Sequence, residues 1–219
     1  MSAYLSRQAK TLTLNDPYSL NSSSCLLIFV KNPALGKVKT RLAKTMGDKK
    51  ALEVYKKLLE KTKTETEQLP VNKIVYYSAW IDNNDLWSTN DFDKQLQEGT
   101  SLGDKMSNAI KASFEHYQKV VIIGSDCYDL SKEHMLEAFA KLENPSISVV
   151  IGPANDGGYY LLGMNTFIPA LFEGKSWSQS SLMTETIETL ESLNLNYFLL
   201  EELTDIDTEE DLTSCGFPL

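Results

Sequence analysis

Histidine is nearly missing from this chain: there are two, His116 and His134, in 219 residues. Both fall in stretches of helical pattern away from the polar loops, which excludes a Ser-His-Asp or Cys-His engine and a His-ligated zinc hydrolase. The three cysteines, Cys25, Cys127 and Cys215, have no C-x-x-C spacing, so neither a zinc knuckle nor a disulfide framework is indicated. Basic charge is in deficit as well. A net charge of −9 and a pI near 4.8 argue against a nucleic-acid backbone as partner, and any anionic ligand has to be held locally. No apolar run approaches the roughly 18 residues that cross a bilayer, and the N-terminus lacks the charged-then-apolar order of a secretory signal. The expected location is the cytoplasm. The dinucleotide fingerprint G-x-G-x-x-G is absent, as are internal repeats and heptads.

What is present is an alternation of short buried strands and amphipathic helices. Residues 1–24 have scattered apolar side chains without period and end in Asn-Ser-Ser-Ser, so they are expected to form a flexible arm ahead of one domain, 25–219. Cys25–Val30, Lys73–Ala79, Val120–Ile123, Ile147–Ile151, Tyr159–Leu162 and Tyr197–Leu200 read as strands. Helical stripes run over Asp48–Gln68, from Met106 to Tyr117 after Leu102 and Gly103, over Ser131–Leu142 and over Ser180–Leu193. The order predicts an α/β fold, an open and mainly parallel sheet with helices on both faces and one antiparallel strand after Gly158.

Polar residues collect where the strands end, the edge at which open α/β sheets bind ligands. Lys31–Lys44 carries five basic residues and no acidic one, around Asn32, Pro33 and Gly36. A basic, glycine-containing loop between a strand and a helix start suits an anion such as phosphate; the alternative is a solvated basic face. It is not a Walker A loop, since no glycine stands five residues before Gly36 and Val38 takes the Ser/Thr place. Gln97 and Gly99 sit in a second loop. Ser125 and Asp126 follow the strand Val120–Ile123, where a carboxylate suits Mg²⁺ or Mn²⁺ and also suits a helix cap. Asp156 precedes two glycines, as in an Asx turn or a polar strand-end loop. In Asp205–Leu212, Thr208 and Asp211 form a capping box, which leaves Asp205 and Asp207 on one face of an extended segment. Trp80 and Trp87 suit ring stacking or packing beneath a loop, and Trp177 with the helix after it suits either the wall of an acceptor pocket or core packing.

Five segments in this order, KNPALGKVKTRL, QEGTSLGDKM, IIGSDC, GPANDGGYYLLG and DIDTEEDL, resemble the bacterial nucleotide-diphospho-sugar transferase-like glycosyltransferases of the GT-A fold. The resemblance covers about Leu26 to Leu212. The basic segment is also similar to that of 2-phospholactate guanylyltransferases, and the whole order to molybdenum-cofactor nucleotidylyltransferases. One departure is Tyr128, where the family usually has proline after the cysteine. The resemblance implies metal ligation by Asp126 and Asp207, with Asp205 as substitute. It implies that Lys31, Gly36, Lys39 and Arg41 surround phosphates, and that Gln97 and Gly99 touch the nucleotide. Asp156, with Tyr159 beside it, would face the sugar or acceptor as a base or polar anchor. The expected activity is metal-dependent transfer of a glycosyl group from a nucleotide-diphosphate sugar to a small-molecule acceptor. The runner-up is a nucleotidylyltransferase using an NTP and a phosphorylated acceptor, and the third reading is a nucleotide-binding protein without catalysis.

Overall fold

The computed structural model describes residues 23–218. The expected arm lies outside the described residues except for its last two, and Ser24 already belongs to the first strand. The elements are β1 (Ser24–Val30), α1 (Thr40–Met46), α2 (Asp48–Glu67), β2 (Asn72–Tyr77), β3 (Asp93–Leu96), α3 (Leu102–Ser113), β4 (Lys119–Ile123), α4 (Lys132–Leu142), β5 (Val149–Pro153), β6 (Tyr159–Met164), α5 (Leu182–Ser192), β7 (Tyr197–Leu199) and α6 (Glu209–Ser214). A 3-10 turn at Pro169–Leu171 follows β6.

Seven strands form one sheet in the order β3-β2-β1-β4-β6-β5-β7. β6 runs antiparallel to both of its neighbours, and the remaining pairings are parallel. The chain runs outward from β1 to β2 and β3, then returns to place β4 on the other side of β1. The carboxyl ends of β1 and β4 therefore flank a topological switch point, where such sheets open a crevice.

Side chains alternate between two cores. Leu26, Ile28 and Val30 of β1, with Val121 and Ile123 of β4, face α1, α2 and α4. Cys25 and Leu27, with Val120 and Ile122, face α3 and α5. Burial on both faces is why these strands read as unbroken apolar runs. β3 was not expected: Asp-Lys-Gln-Leu is an edge strand paired only to β2 and half exposed, so no apolar period marks it. The strand expected at Ile147–Ile151 lies two residues later, because Ile147 turns back onto the Asn144 carbonyl before pairing starts at Val149.

Three helix starts are fixed locally. Ser101 and Asp104 form a capping box at α3, Thr208 and Asp211 another at α6, and Ser131 with the His134 ring caps α4. Ser131 takes the capping role that Ser125 or Asp126 was free to have in the sequence, and both of those side chains stay at the crevice.

Candidate active site at the sheet switch point

A cavity of about 410 Å³ opens over the carboxyl ends of β1 and β4, the β5–β6 turn and the segment that follows β7. It holds a buried charge, Lys39, whose side chain is 3% exposed. The Lys39 backbone is left-handed, at φ 46° and ψ 48°, just before α1. A non-glycine residue held there costs of order 1–3 kcal/mol, a cost that persists where surrounding contacts fix it. The contacts here are electrostatic. Lys39 Nζ lies 2.8 Å from Asp126 Oδ2 and 3.2 Å from Asp207 Oδ1, and Arg41 Nη1 reaches Asp207 Oδ2 at 3.1 Å.

Two strips of backbone make this meeting possible. After β7 the chain crosses the sheet ends: Ala154 bridges Leu203, Cys127 bridges Asp205, and Ile206 N–H donates to the Asp126 carbonyl at 3.0 Å. The Asp207 N–H donates to Asp211 Oδ2 at 2.9 Å, so the cap of α6 also orients the carboxylate next to it. Tyr55 on α2 closes the other side. Its hydroxyl accepts from Lys31 N–H at 2.8 Å, donates to the Lys31 carbonyl at 3.1 Å and lies 3.2 Å from Ser125 Oγ. Tyr55 thus ties the end of β1 to the end of β4. It was read only as part of an apolar stripe, and the available signal was that a buried tyrosine hydroxyl needs a partner.

Charge in the crevice is mutually tuned. Burial disfavours the Lys39 ammonium, but Asp126, Asp207 and Asp205 outweigh it and hold its pKa above the ordinary lysine value. Burial, with the neighbouring Asp126 charge, raises the Asp205 carboxyl to about 7, against the pull of Lys39. The Tyr55 phenol is pushed up by burial first and by Asp126 second.

Of the residues singled out in the sequence, Lys31, Lys39, Arg41, Asp126, Asp156, Tyr159, Asp205 and Asp207 line this one cavity. Gly36, Gln97 and Gly99 do not. Gly36 (φ +71°) turns the basic loop with its face toward Asp48. The Gln97 amide is spent on the main chain, donating to the Val30 and Tyr76 carbonyls at 3.2 and 3.0 Å. Gly99 (φ +140°) packs against Asp104, and a Cβ there would lie 2.6 Å from the Asp104 Cβ. Asp156 makes the Asx turn: its Oδ1 accepts from Gly158 N–H at 2.9 Å, and the residue remains exposed at the cavity. Tyr159 contributes its ring, while its hydroxyl is buried without a partner and burial pushes its pKa up. Gly99-Thr100-Ser101-Leu102-Gly103 does match G-x-S-x-G, the pattern of serine hydrolases. Ser101 is nonetheless an N-cap, its Oγ accepting from Asp104 N–H at 3.0 Å, and His116 lies beyond the far end of the same helix. Thr40, Leu102, Met106, Trp177, Ser178 and Leu182 also line the cavity and were not assigned to a site in the sequence, except that Trp177 was weighed between an acceptor pocket and core packing.

Among the described residues no group of three or more His, Cys, Asp or Glu side chains is arranged to hold a metal ion. The arrangement explains this: the Lys39 ammonium stands between Asp126 and Asp207. The donor chemistry still fits magnesium or manganese, because two carboxylates completed by phosphate oxygens are a common magnesium set.

The family model of DUF2064, described as an uncharacterized protein conserved in bacteria, matches residues 62–179, more than half of the chain. The chain belongs to this family. A crystal structure of a Desulfovibrio desulfuricans G20 protein assigned as a nucleotide-diphospho-sugar transferase is similar at 32% identity and TM-score 0.81, covering 89% of this chain and 87% of that one. At the level of fold alone, the chain is similar to 4-diphosphocytidyl-2C-methyl-D-erythritol synthase from Anaerococcus prevotii, with 13% identity, TM-score 0.55 and coverage of 91% and 97%. It is similar in the same way to Rv0371c of Mycobacterium tuberculosis H37Rv in complex with manganese, with 10% identity, TM-score 0.51 and coverage of 87% and 96%. No curated protein matches. The nucleotide-diphospho-sugar transferase-like fold expected from the sequence is therefore the fold the chain has. No helix of the described residues is long and apolar enough to cross a membrane.

Proposed function

We propose that this protein is a metal-dependent glycosyltransferase that moves a glycosyl group from a nucleotide-diphosphate sugar to a small-molecule acceptor. The observation that carries the proposal is the switch-point cavity, where Lys39 and Arg41 converge with Asp126 and Asp207 while the carboxylate of Asp156 stands on the adjoining turn. Lys31, Lys39 and Arg41 seat the diphosphate. Asp126 and Asp207, with Asp205 beside them, would hold Mg²⁺ or Mn²⁺, which would supply positive charge for the diphosphate oxygens. Before ligand arrives, the Lys39 ammonium offsets the mutual repulsion of these carboxylates. Asp156, oriented by the Gly158 N–H, accepts the proton of the attacking acceptor hydroxyl. The 32%-identical relative assigned as a nucleotide-diphospho-sugar transferase supports the reading.

The test is a melting-temperature panel of nucleotide-diphosphate sugars and NTPs, with and without Mn²⁺, followed by assays of the stabilising ligands. A ligand that binds only the folded state at about 100 times its Kd adds ~2.7 kcal/mol of stability. The expected result is stabilisation by a nucleotide-diphosphate sugar that requires Mn²⁺, and release of a nucleoside diphosphate on turnover. Pyrophosphate release from an NTP and a phosphorylated acceptor would replace this reading with nucleotidyl transfer. Binding without turnover of either kind would leave a nucleotide-binding protein.

A further inference from the structure

The cavity has two unlike sides, and among the described residues the second carries no cation. The three cations of the described residues that line it, Lys31, Lys39 and Arg41, come from the segment between β1 and the first turns of α1. The opposite core supplies Phe29, Met106, Tyr159 and Trp177, Leu102 and Leu182 line the cavity with them, and Asp156 is the charged lining residue on the β5–β6 turn just before Tyr159. Trp177 is fixed in place on purpose-built ground. Its ring lies over Gly103, where a Cβ would come within 2.3 Å of Nε1. It meets Tyr159 edge-on at 6.5 Å between centroids and stacks on Phe172 at 6.5 Å and 6°. The segment that carries it is docked on the β5–β6 turn, with Met183 N–H donating to the Gly157 carbonyl at 2.9 Å, and a Cβ at Gly157 would strike the Ser180 carbonyl at 2.2 Å. Next to Trp177, Ser178 holds a left-handed φ of 62°.

We infer that the acceptor is an uncharged hydroxy compound with a flat, apolar or aromatic body, seated on Trp177 and Tyr159 with its hydroxyl toward Asp156. A phosphate or carboxylate on the acceptor would enter a side with no cation to pair it and one carboxylate to repel it, which disfavours anions by both desolvation and charge. A ring is recognised there by stacking and by area removed from water. The inference rests on the glycosyl-transfer reading for the word acceptor, while the binding preference itself stands on this side of the cavity alone.

The experiment uses the full chain and a pair of fluorescent probes, 4-methylumbelliferone at pH 6, where it is uncharged, and 4-methylumbelliferyl phosphate, each followed by equilibrium dialysis. The expected result is that the uncharged ring binds at least tenfold more tightly, that Trp177→Ala weakens it at least tenfold, and that Trp177→Phe keeps it within about threefold. Leu102→Lys, at a side chain 43% exposed on this rim, should reverse the preference toward the phosphate ester, a gain that loss of folding cannot imitate. Equal or tighter binding of the phosphate ester by the wild type, or an unchanged Kd in Trp177→Ala, overturns the inference. A wild type that binds the ring as stated but is not stabilised by any nucleotide-diphosphate sugar with Mn²⁺ supports the inference and sinks the glycosyl-transfer reading instead.

Discussion

The two rims of the cavity are built by different physics. The basic and acidic rim is assembled from long-range charge pairs: Lys39 reaches residues 126 and 207, brought together because the chain after β7 returns over the sheet ends to hydrogen-bond beside Asp126. The aromatic rim is assembled from shape, with Trp177 lying where glycine at 103 leaves room and Gly157 lets the next segment approach. The first rim is held by charge pairs, whose strength depends on neighbouring ions. The second is a packed wall, sensitive to single methyl groups. Tyr159 and Tyr160 show the division at its smallest scale. Successive residues of one strand point to opposite faces, and Tyr160 donates to the Glu201 carbonyl at 2.9 Å on the charged side while Tyr159 packs with Trp177 on the other.

Breaking the charged rim should have the largest effect. Asp126→Ala is expected to lower the rate of transfer about 10³-fold, the size of effect seen when one preorganised electrostatic group is lost. The measurement is kcat with saturating nucleotide-diphosphate sugar and Mn²⁺, and a value within threefold of wild type would remove Asp126 from the mechanism. Asp156→Asn keeps the oxygen that accepts from Gly158 N–H and abolishes the base, so kcat should fall about 10²-fold with nucleotide affinity held. A matching loss of nucleotide affinity would instead show that Asp156 belongs to the charged rim.

Lys39→Met separates charge from packing in the same place. With the ammonium gone, Asp126, Asp205 and Asp207 repel one another, so the variant should melt below wild type, and Mn²⁺ should raise its melting temperature more than it raises that of the wild type. Equal Mn²⁺ shifts in the two proteins would mean that the cation binds elsewhere. On the aromatic rim, Gly103→Ala forces the Trp177 ring aside, at a cost of about 1–3 kcal/mol for an overpacked site. Its checks are the denaturation midpoint and a rise of about tenfold in acceptor KM, with the nucleotide KM as the internal comparison. The smallest effect is expected at Arg41, whose side chain is 66% exposed: the pair it makes with Asp207 is worth ~0–1 kcal/mol, so Arg41→Ala should hardly move the midpoint. If Arg41 seats phosphate, the same variant weakens nucleotide binding more than it weakens folding.

The strands and helices with a clear apolar period were legible in the chain, because burial on two faces or one leaves a local record. β3 was not, since an edge strand of Asp-Lys-Gln-Leu makes its hydrogen bonds without an apolar signature. Gln97 was legible as a loop residue, but its amide is used to close the sheet edge, and no local pattern distinguishes a glutamine that binds main-chain carbonyls from one aimed at a ligand. The G-x-S-x-G pattern around Ser101 went unread in the sequence, and the hydrogen bond from Asp104 N–H makes Ser101 a helix cap.

The amino-acid order by itself determined the α/β alternation, the reversed strand after Gly158, and the concentration of lysine and arginine after the first strand, all of which depend on neighbours a few residues away. Tertiary structure alone decided that the Lys39 ammonium stands between Asp126 and Asp207, that Tyr55 ties the two central strand ends, and that Trp177 faces the cavity. These depend on contacts across 24 to 168 positions of sequence, whose geometry is set by sheet order and by the path of the segment that follows β7.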